Sequence, residues 1–252
     1  MPCTKSPDSV APAPAASPPA GCAPIGVFDS GVGGLSVVFA IRQRLPAESL
    51  YYAADSAFAP YGRQRAAQVI KRARFLTAWL LERGAKAIVV ACNTATAVAI
   101  DHLRREFPIP IIGMEPAIKP AIGLTRRGVV GVLATAGTLH SDRYARLLAT
   151  HRAGVKVLPC ACHHWVEQVE GGAVAGTAVR AMIQRDLAPL LQAGADVLVL
   201  GCTHFPFLAP EIQAVTGTDV TLLDPAPAVA DQLARRLAAQ GALCTDAGAG
   251  SL

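Results

Sequence analysis

Two aliphatic runs end on a cysteine with a threonine close behind: AIVVACNTAT at 87–96 and VLVLGCTHFP at 197–206. Cys92 and Cys202 lie 110 residues apart, and each is followed by hydrogen-bonding side chains, Asn93 and Thr94 in one case and Thr203 and His204 in the other. A thiol near a histidine or a helix N-terminus has its pKa drawn below the free value of about 8.5 and can act as a base near neutral pH. Single free cysteines are often small core hydrophobes, so the chemistry rests on the pair and its polar neighbours. Two thiols facing one another across a cleft are suited to moving a proton from one face of a flat intermediate to the other.

Other segments offer further groups. Asp29-Ser30-Gly31-Val32-Gly33-Gly34 combines a strand end, a glycine turn and a helix start, a place where free N–H groups bind carboxylate or phosphate. The dinucleotide pattern G-x-G-x-x-G fails because residue 36 is Ser, and the Gly-Lys-Ser/Thr of a phosphate loop is missing. Asp29 either caps the following helix or orients an ammonium group and takes a proton from a nearby thiol. His204 is either a satisfied core histidine or a partner for Cys202. The run Cys160-Ala161-Cys162-His163-His164 packs four potential metal ligands into five residues. That is tighter than the C-x₂₋₄-C pairs of zinc sites, and adjacent strand residues point to opposite faces, so no metal is expected. Glu167 and Glu170 fall three apart on a helical turn, where solvent exposure accounts for Glu167.

These groups need strands to deliver them. Aliphatic and β-branched runs predict strands at 25–29, 50–53, 87–91, 110–113, 129–133, 155–158, 197–201 and 220–223. Helical periodicity predicts helices over 34–45, 64–83, 95–106, 141–152, 173–192 and 226–240, with breaks at Pro46, Gly84, Pro108, Gly154 and Gly194. The alternation signals βαβ units. IGVFDSGVGGL at 25–35 is echoed by VGVLATAGTLH at 130–140, which implies an internal repeat. The expected fold class is therefore α/β, with two pseudo-symmetric domains, each a parallel sheet flanked by helices, and the active site in the cleft between them. The Pro-containing GMEPAIKPAIG at 113–123 reads as the connector, and the last helix as packing back on the first half. The division predicted is a disordered Pro/Ala-rich tail at 1–24, a first domain of 25–117 plus 224–252, and a second of 118–223.

Composition limits the alternatives. The chain has 252 residues, of which 52% are hydrophobic and 16% charged, enough to bury a substantial core. The net charge of +5 is spread along helical stretches without interleaved aromatics, so no direct nucleic-acid binding is expected. No apolar run reaches the ~18 residues of a membrane span, and residues 1–24 lack the apolar core of a signal peptide. The odd count of seven cysteines suggests free thiols in a reducing, cytoplasmic setting. Cys3, Cys22 and Cys244 fall in segments read as loose tails, the last twelve residues included, and receive no role.

Six motifs together resemble the bacterial glutamate racemases of the cofactor-independent aspartate/glutamate racemase superfamily: FDSGVGGLSV at 28–37, YYAADSAFAPYG at 51–62, ACNTATA at 91–97, GMEPAIKPA at 113–121, GVLATAGTLHSDRY at 131–144 and LGCTHFPFL at 200–208. The resemblance spans residues 25–240 and implies a two-base reaction on glutamate that needs no cofactor and no metal. One cysteine removes the α-proton and the other returns a proton to the opposite face, supplying D-glutamate for peptidoglycan. By motif position Asp29 assists Cys92, His204 assists Cys202, and Glu170 supports the second side. Ser30, the backbone around Tyr61 and Gly62, Asn93, Thr94, Thr135, Thr138 and Thr203 hold the substrate, together with Asp29 and His204. Phe205 replaces a usual tyrosine, and His163 a usual proline. A homodimer is among the assemblies the resemblance allows. The alternatives are an aspartate racemase, a regulatory binding protein such as a DNA gyrase partner, and a Cys-His hydrolase. The Cys-Thr-His pattern favours glutamate over aspartate, and a hydrolase would leave one thiol unused.

Overall fold

The computed structural model describes residues 22–151, 154–245 and 250–252. Most of the tail expected at 1–24, with Cys3, lies outside the described residues. Among the described residues eight strands form two parallel sheets. The first contains β1 (Ile25–Asp29), β2 (Leu50–Ala54), β3 (Ala87–Val90) and β4 (Ile111–Gly113), in the order β2-β1-β3-β4. The second contains β5 (Val129–Ala134), β6 (Lys156–Ala161), β7 (Val197–Leu200) and β8 (Thr221–Leu223), in the order β6-β5-β7-β8. The two orders are the same, which is the internal repeat in structural form. Gly26 and Gly131 occupy matching places: a Cβ on Gly26 would stand 2.8 Å from Ile88 Cδ1, and one on Gly131 2.5 Å from Leu198 Cδ2.

Strand residues alternate between two buried faces, as they must in a sheet covered on both sides. Ala87 and Val89 pack with α1 (Leu35–Arg44) and α10 (Ala226–Ala239), while Ile88 and Val90 pack with α2 (Ala66–Glu82) and α3 (Asn93–Glu106). In the second sheet Val197 and Val199 face α4 (Ile118–Leu124) and α6 (Asp142–His151). Leu198 and Leu200 face α7 (Trp165–Glu170), α8 (Thr177–Gln192) and α9 (Ala209–Thr216). A one-turn helix, α5 (Ala136–Leu139), follows β5. Because burying a leucine side chain stabilises by about 1.5–3 kcal/mol, the fully buried Leu233 and Leu237 bind α10 firmly to the first sheet.

Three expectations are corrected. The stretch read as a proline connector carries α4, in which Pro120 is the third residue; there its missing N–H has no intrahelical acceptor to lose. The chain's end is anchored. Ser251 accepts the Leu50 amide at 2.8 Å, Gly250 donates to the Pro46 carbonyl, and the Arg42 guanidinium donates to the Gly250 and Ser251 carbonyls. β2 is an edge strand with backbone groups to satisfy, and these last residues supply partners that composition does not show. Finally, Cys22 and Cys244 are not free thiols but a disulfide. Beside it, Cys244 donates its amide to Glu48, which pairs with Lys86 at 2.5 Å, and Lys86 also donates to the Ala242 carbonyl.

Candidate active site

The central strands of the two sheets aim their carboxyl ends at one region, where ligands bind in open parallel sheets. Asp29 ends β1 and Thr135 follows β5, while Cys92 and Cys202 each come two residues after their strands, β3 and β7. Asp29 is fully buried. Its Oδ1 accepts the Ser30 amide at 2.7 Å, and its Oδ2 accepts the Thr203 hydroxyl at 2.9 Å from the other half. The side chain does not cap the following helical turn. Burial pushes its pKa up, against the opposing pull of His204 and these hydrogen bonds.

Cys92 is the N-cap of α3, its sulfur accepting the Ala95 amide at 3.5 Å and lying 4.0 Å from Ser30 Oγ. The expectation of a lowered thiol pKa fails here. Burial and then the Asp29 carboxylate push the thiol well above its ordinary value, outweighing the Ala95 hydrogen bond. Cys92 therefore rests as a thiol beside a carboxylate of raised basicity.

Cys202 has a different partner. Its sulfur is 3.7 Å from Nδ1 of His204, whose Nε2 is 2.6 Å from Glu170 Oε1. Burial disfavours a charged imidazole, but the Cys202 sulfur and the Asp29 and Glu170 carboxylates prevail and push its pKa up to about 10. As an imidazolium it donates Nε2–H to Glu170 and presents Nδ1–H to Cys202. Glu170 Oε1 also accepts the Val32 amide at 2.8 Å, so a carboxylate from α7 reaches the glycine turn after β1. Glycine is required there: a Cβ on Gly31 would fall 1.8 Å from Glu170 Oε1, and one on Gly33 2.2 Å from His204 Nδ1.

A second group of donors lies where α3 meets α5. The hydroxyls of Thr94, Thr135 and Thr138 form a triangle with edges of 3.0–3.2 Å. Backbone at Gly62 closes against it, since a Cβ there would stand 2.8 Å from Thr135 Cβ. Tyr61 itself points away, its buried hydroxyl donating to Asp55, which also takes two hydrogen bonds from Arg72 at 2.9 and 2.6 Å. The Asn93 side chain reaches neither thiol. Both its amide atoms are buried without a partner among the described residues, and it lines a small cavity with Met114, Thr138 and Tyr144.

Sequence reasoning missed several contributors. Ser36 donates to the Gly33 and Thr203 carbonyls, Arg63 pairs with Glu167 across the halves at 2.5 Å, and Asp55 and Arg72 support Tyr61. Ser36 and Asp55 lie inside quoted motifs, but nothing in their spacing marks the partner.

Residues 25–233 match the family described as Asp/Glu/Hydantoin racemase. The glutamate racemase of Methylococcus capsulatus is 54% identical over 220 residues, covering 87% of this chain and 81% of that one. That of Pseudomonas aeruginosa PAO1 is 49% identical, with coverages of 88% and 84%. Among solved structures, Escherichia coli glutamate racemase in complex with L-glutamate and the activator UDP-MurNAc-Ala superposes with a TM-score of 0.81 at 36% identity, covering 90% of this chain and 88% of that one. The Thermus thermophilus glutamate racemase, in complex with β-chloro-D-alanine, gives 0.79 at 39% identity, with coverages of 92% and 86%.

Proposed function

From the chain's membership of the Asp/Glu/Hydantoin racemase family and its 54% identity to a glutamate racemase, we propose that it interconverts L- and D-glutamate by proton transfer between Cys92 and Cys202. The product D-glutamate serves peptidoglycan synthesis in the cytoplasm. In one direction Cys92, having passed its proton to Asp29, removes the α-proton as a thiolate, and Cys202 returns a proton to the other face. In the other direction Cys202 is the base, and its thiolate is stabilised by the His204 imidazolium that Glu170 holds. The α-C–H is far less acidic than a thiol, so donors fixed in a water-poor site must hold the developing negative charge. Ser30, Thr94, Thr135, Thr138 and Thr203, with the backbone at Gly62, bind the substrate's carboxylates and ammonium.

The observation that supports this reading most is the matched position of the two thiols after β3 and β7, each with its own acid–base partner and the two sides joined by the Thr203–Asp29 hydrogen bond. The test is the circular dichroism of L-glutamate in D₂O with no added cofactor. The signal should decay to zero as deuterium enters the α-carbon, and Cys92→Ala and Cys202→Ala should each abolish the decay. Turnover at the parent rate by either variant would overturn the two-thiol assignment.

A further inference from the structure

Among the described residues, the proton-transfer scheme leaves two thiols unused. Cys160 lies in β6 and Cys162 follows the strand's last residue, Ala161; their sulfurs are 3.9 Å apart. β6 is an edge strand of the second sheet, and Cys160 is partly exposed while Cys162 is buried behind it. The Cys160 sulfur lies 3.4 Å from the Asp186 carbonyl, and a hydrogen bond from Cys162 draws the Cys160 thiol below its ordinary pKa. Among the described residues no third Cys, His, Asp or Glu joins them in a cluster able to hold a metal ion.

We propose that Cys160 and Cys162 form a dithiol binding site for monosubstituted trivalent arsenicals, R–As(OH)₂, separate from the thiols of the cleft. Two S–H and two As–O bonds break, two As–S bonds form and two waters leave; arsenic stays trivalent, and no oxidant is consumed. The ligand's valence suits the site, because two sulfurs and the R group complete three-coordinate arsenic, whereas structural zinc takes four protein ligands. A direct disulfide suits it less well. The extended Ala161 between them sets their Cα atoms about 6.4–6.8 Å apart, at the upper limit of the 4.4–6.8 Å seen for disulfides. An arsenic bridge holds the sulfurs further apart and leaves the strand pairing Leu133↔Cys160 intact.

The adduct acts on the cleft through two contacts. The Cys162 amide donates to the Ala134 carbonyl, immediately before Thr135. Cys162 also packs in the cluster of Trp165, the first residue of α7, the helix that ends in Glu170. Displacing these groups by an ångström or so should slow turnover by about 10-fold or more.

The experiment treats the full chain, without reductant, with phenylarsine oxide in slight excess, and follows intact mass, free-thiol count and racemisation. The expected result is one phenylarsenic group per chain, two thiols lost and slowed turnover. Cys160→Ser and Cys162→Ser should each keep parent turnover before treatment and take up no arsenical. If Cys160→Ser still gains the adduct and loses activity, the ligand bridges the cleft thiols and the assignment fails; it fails equally if the parent gains no adduct. Adduct mass is read without turnover, so this outcome is independent of the racemase reading.

Discussion

His204 has a sulfur at one ring nitrogen and a carboxylate at the other, and a pKa of about 10 keeps it cationic across the physiological range. Because this exceeds the ordinary histidine value of about 6.5, the folded protein binds the extra proton between the two values. The resulting stability is fully present below about 6.5 and is lost as pH rises through about 10. Thermal unfolding of the parent should therefore fall between pH 7 and 10, and His204→Asn should flatten that slope. Glu170→Gln keeps an acceptor for Val32 but removes the charge that helps hold the imidazolium. The alkaline limb of kcat/KM should move to lower pH, and a profile unchanged from the parent would mean that Glu170 only packs. On the other side, Cys92 rests as a thiol, and in the proposed reaction its proton must go somewhere before it can act. Asp29→Asn removes the acceptor without removing the hydrogen-bonded shape. Turnover should drop by about 10²–10⁴, the usual worth of a positioned proton-transfer group, as measured by polarimetry.

Between β2 and α2 lies a segment in which little backbone hydrogen bonding is regular, yet its Gly62 must stand against Thr135 of the other half. Asp55 supplies the rigidity: buried, it binds Tyr61 and Arg72, and the guanidinium stacks on Phe58 at 4.0 Å and Phe75 at 4.8 Å. Arg72→Met leaves that carboxylate short of its partner, costing about 1–3 kcal/mol, and frees the turn. KM for glutamate should rise more than kcat falls; the reverse split would place Arg72 in the chemical step. This support shows where sequence legibility ends. Strands and main helices are readable because aliphatic residues recur at the period each element imposes, and Cys92 and Cys202 are readable because each closes such a run beside polar neighbours. Contacts between the halves are another matter. Val32 and Glu170 are 138 residues apart, and Asp29 and Thr203 are 174 apart, so their meeting depends on how two sheets dock rather than on any local pattern. The Cys92 pKa escapes the sequence for the same reason: its local signal, a helix start, lowers it, while burial raises it.

At the scale of the molecule, each half contributes one thiol, and neither half completes its own thiol's setting. Asp29 from the first sheet takes a hydrogen bond from Thr203 of the second, Glu170 from the second takes the Val32 amide of the first, and Arg63 clasps Glu167 across the mouth. In the proposed reaction turnover depends on how firmly each half is held, and on the far side of the first half the described segments around Cys22, Cys244 and Gly250 come together. The disulfide Cys22–Cys244 joins the segment before β1 to the segment after α10 across 222 residues of chain, beside the Glu48–Lys86 pair and the backbone bonds of Gly250 and Ser251. A link of this kind stabilises chiefly by restricting the unfolded chain, typically by 2–4 kcal/mol, and for a chain of this size each kcal/mol shifts the melting temperature by about 2–4 °C. Cys22→Ser with Cys244→Ser should therefore lower Tm by roughly 5–15 °C in differential scanning calorimetry, and adding reductant to the parent should reproduce the shift. Racemisation at 25 °C should stay near the parent rate, because the link lies at the amino end of β1 and the chemistry at its carboxyl end. A large loss of turnover with the melting temperature unchanged would mean instead that the joined ends control the cleft.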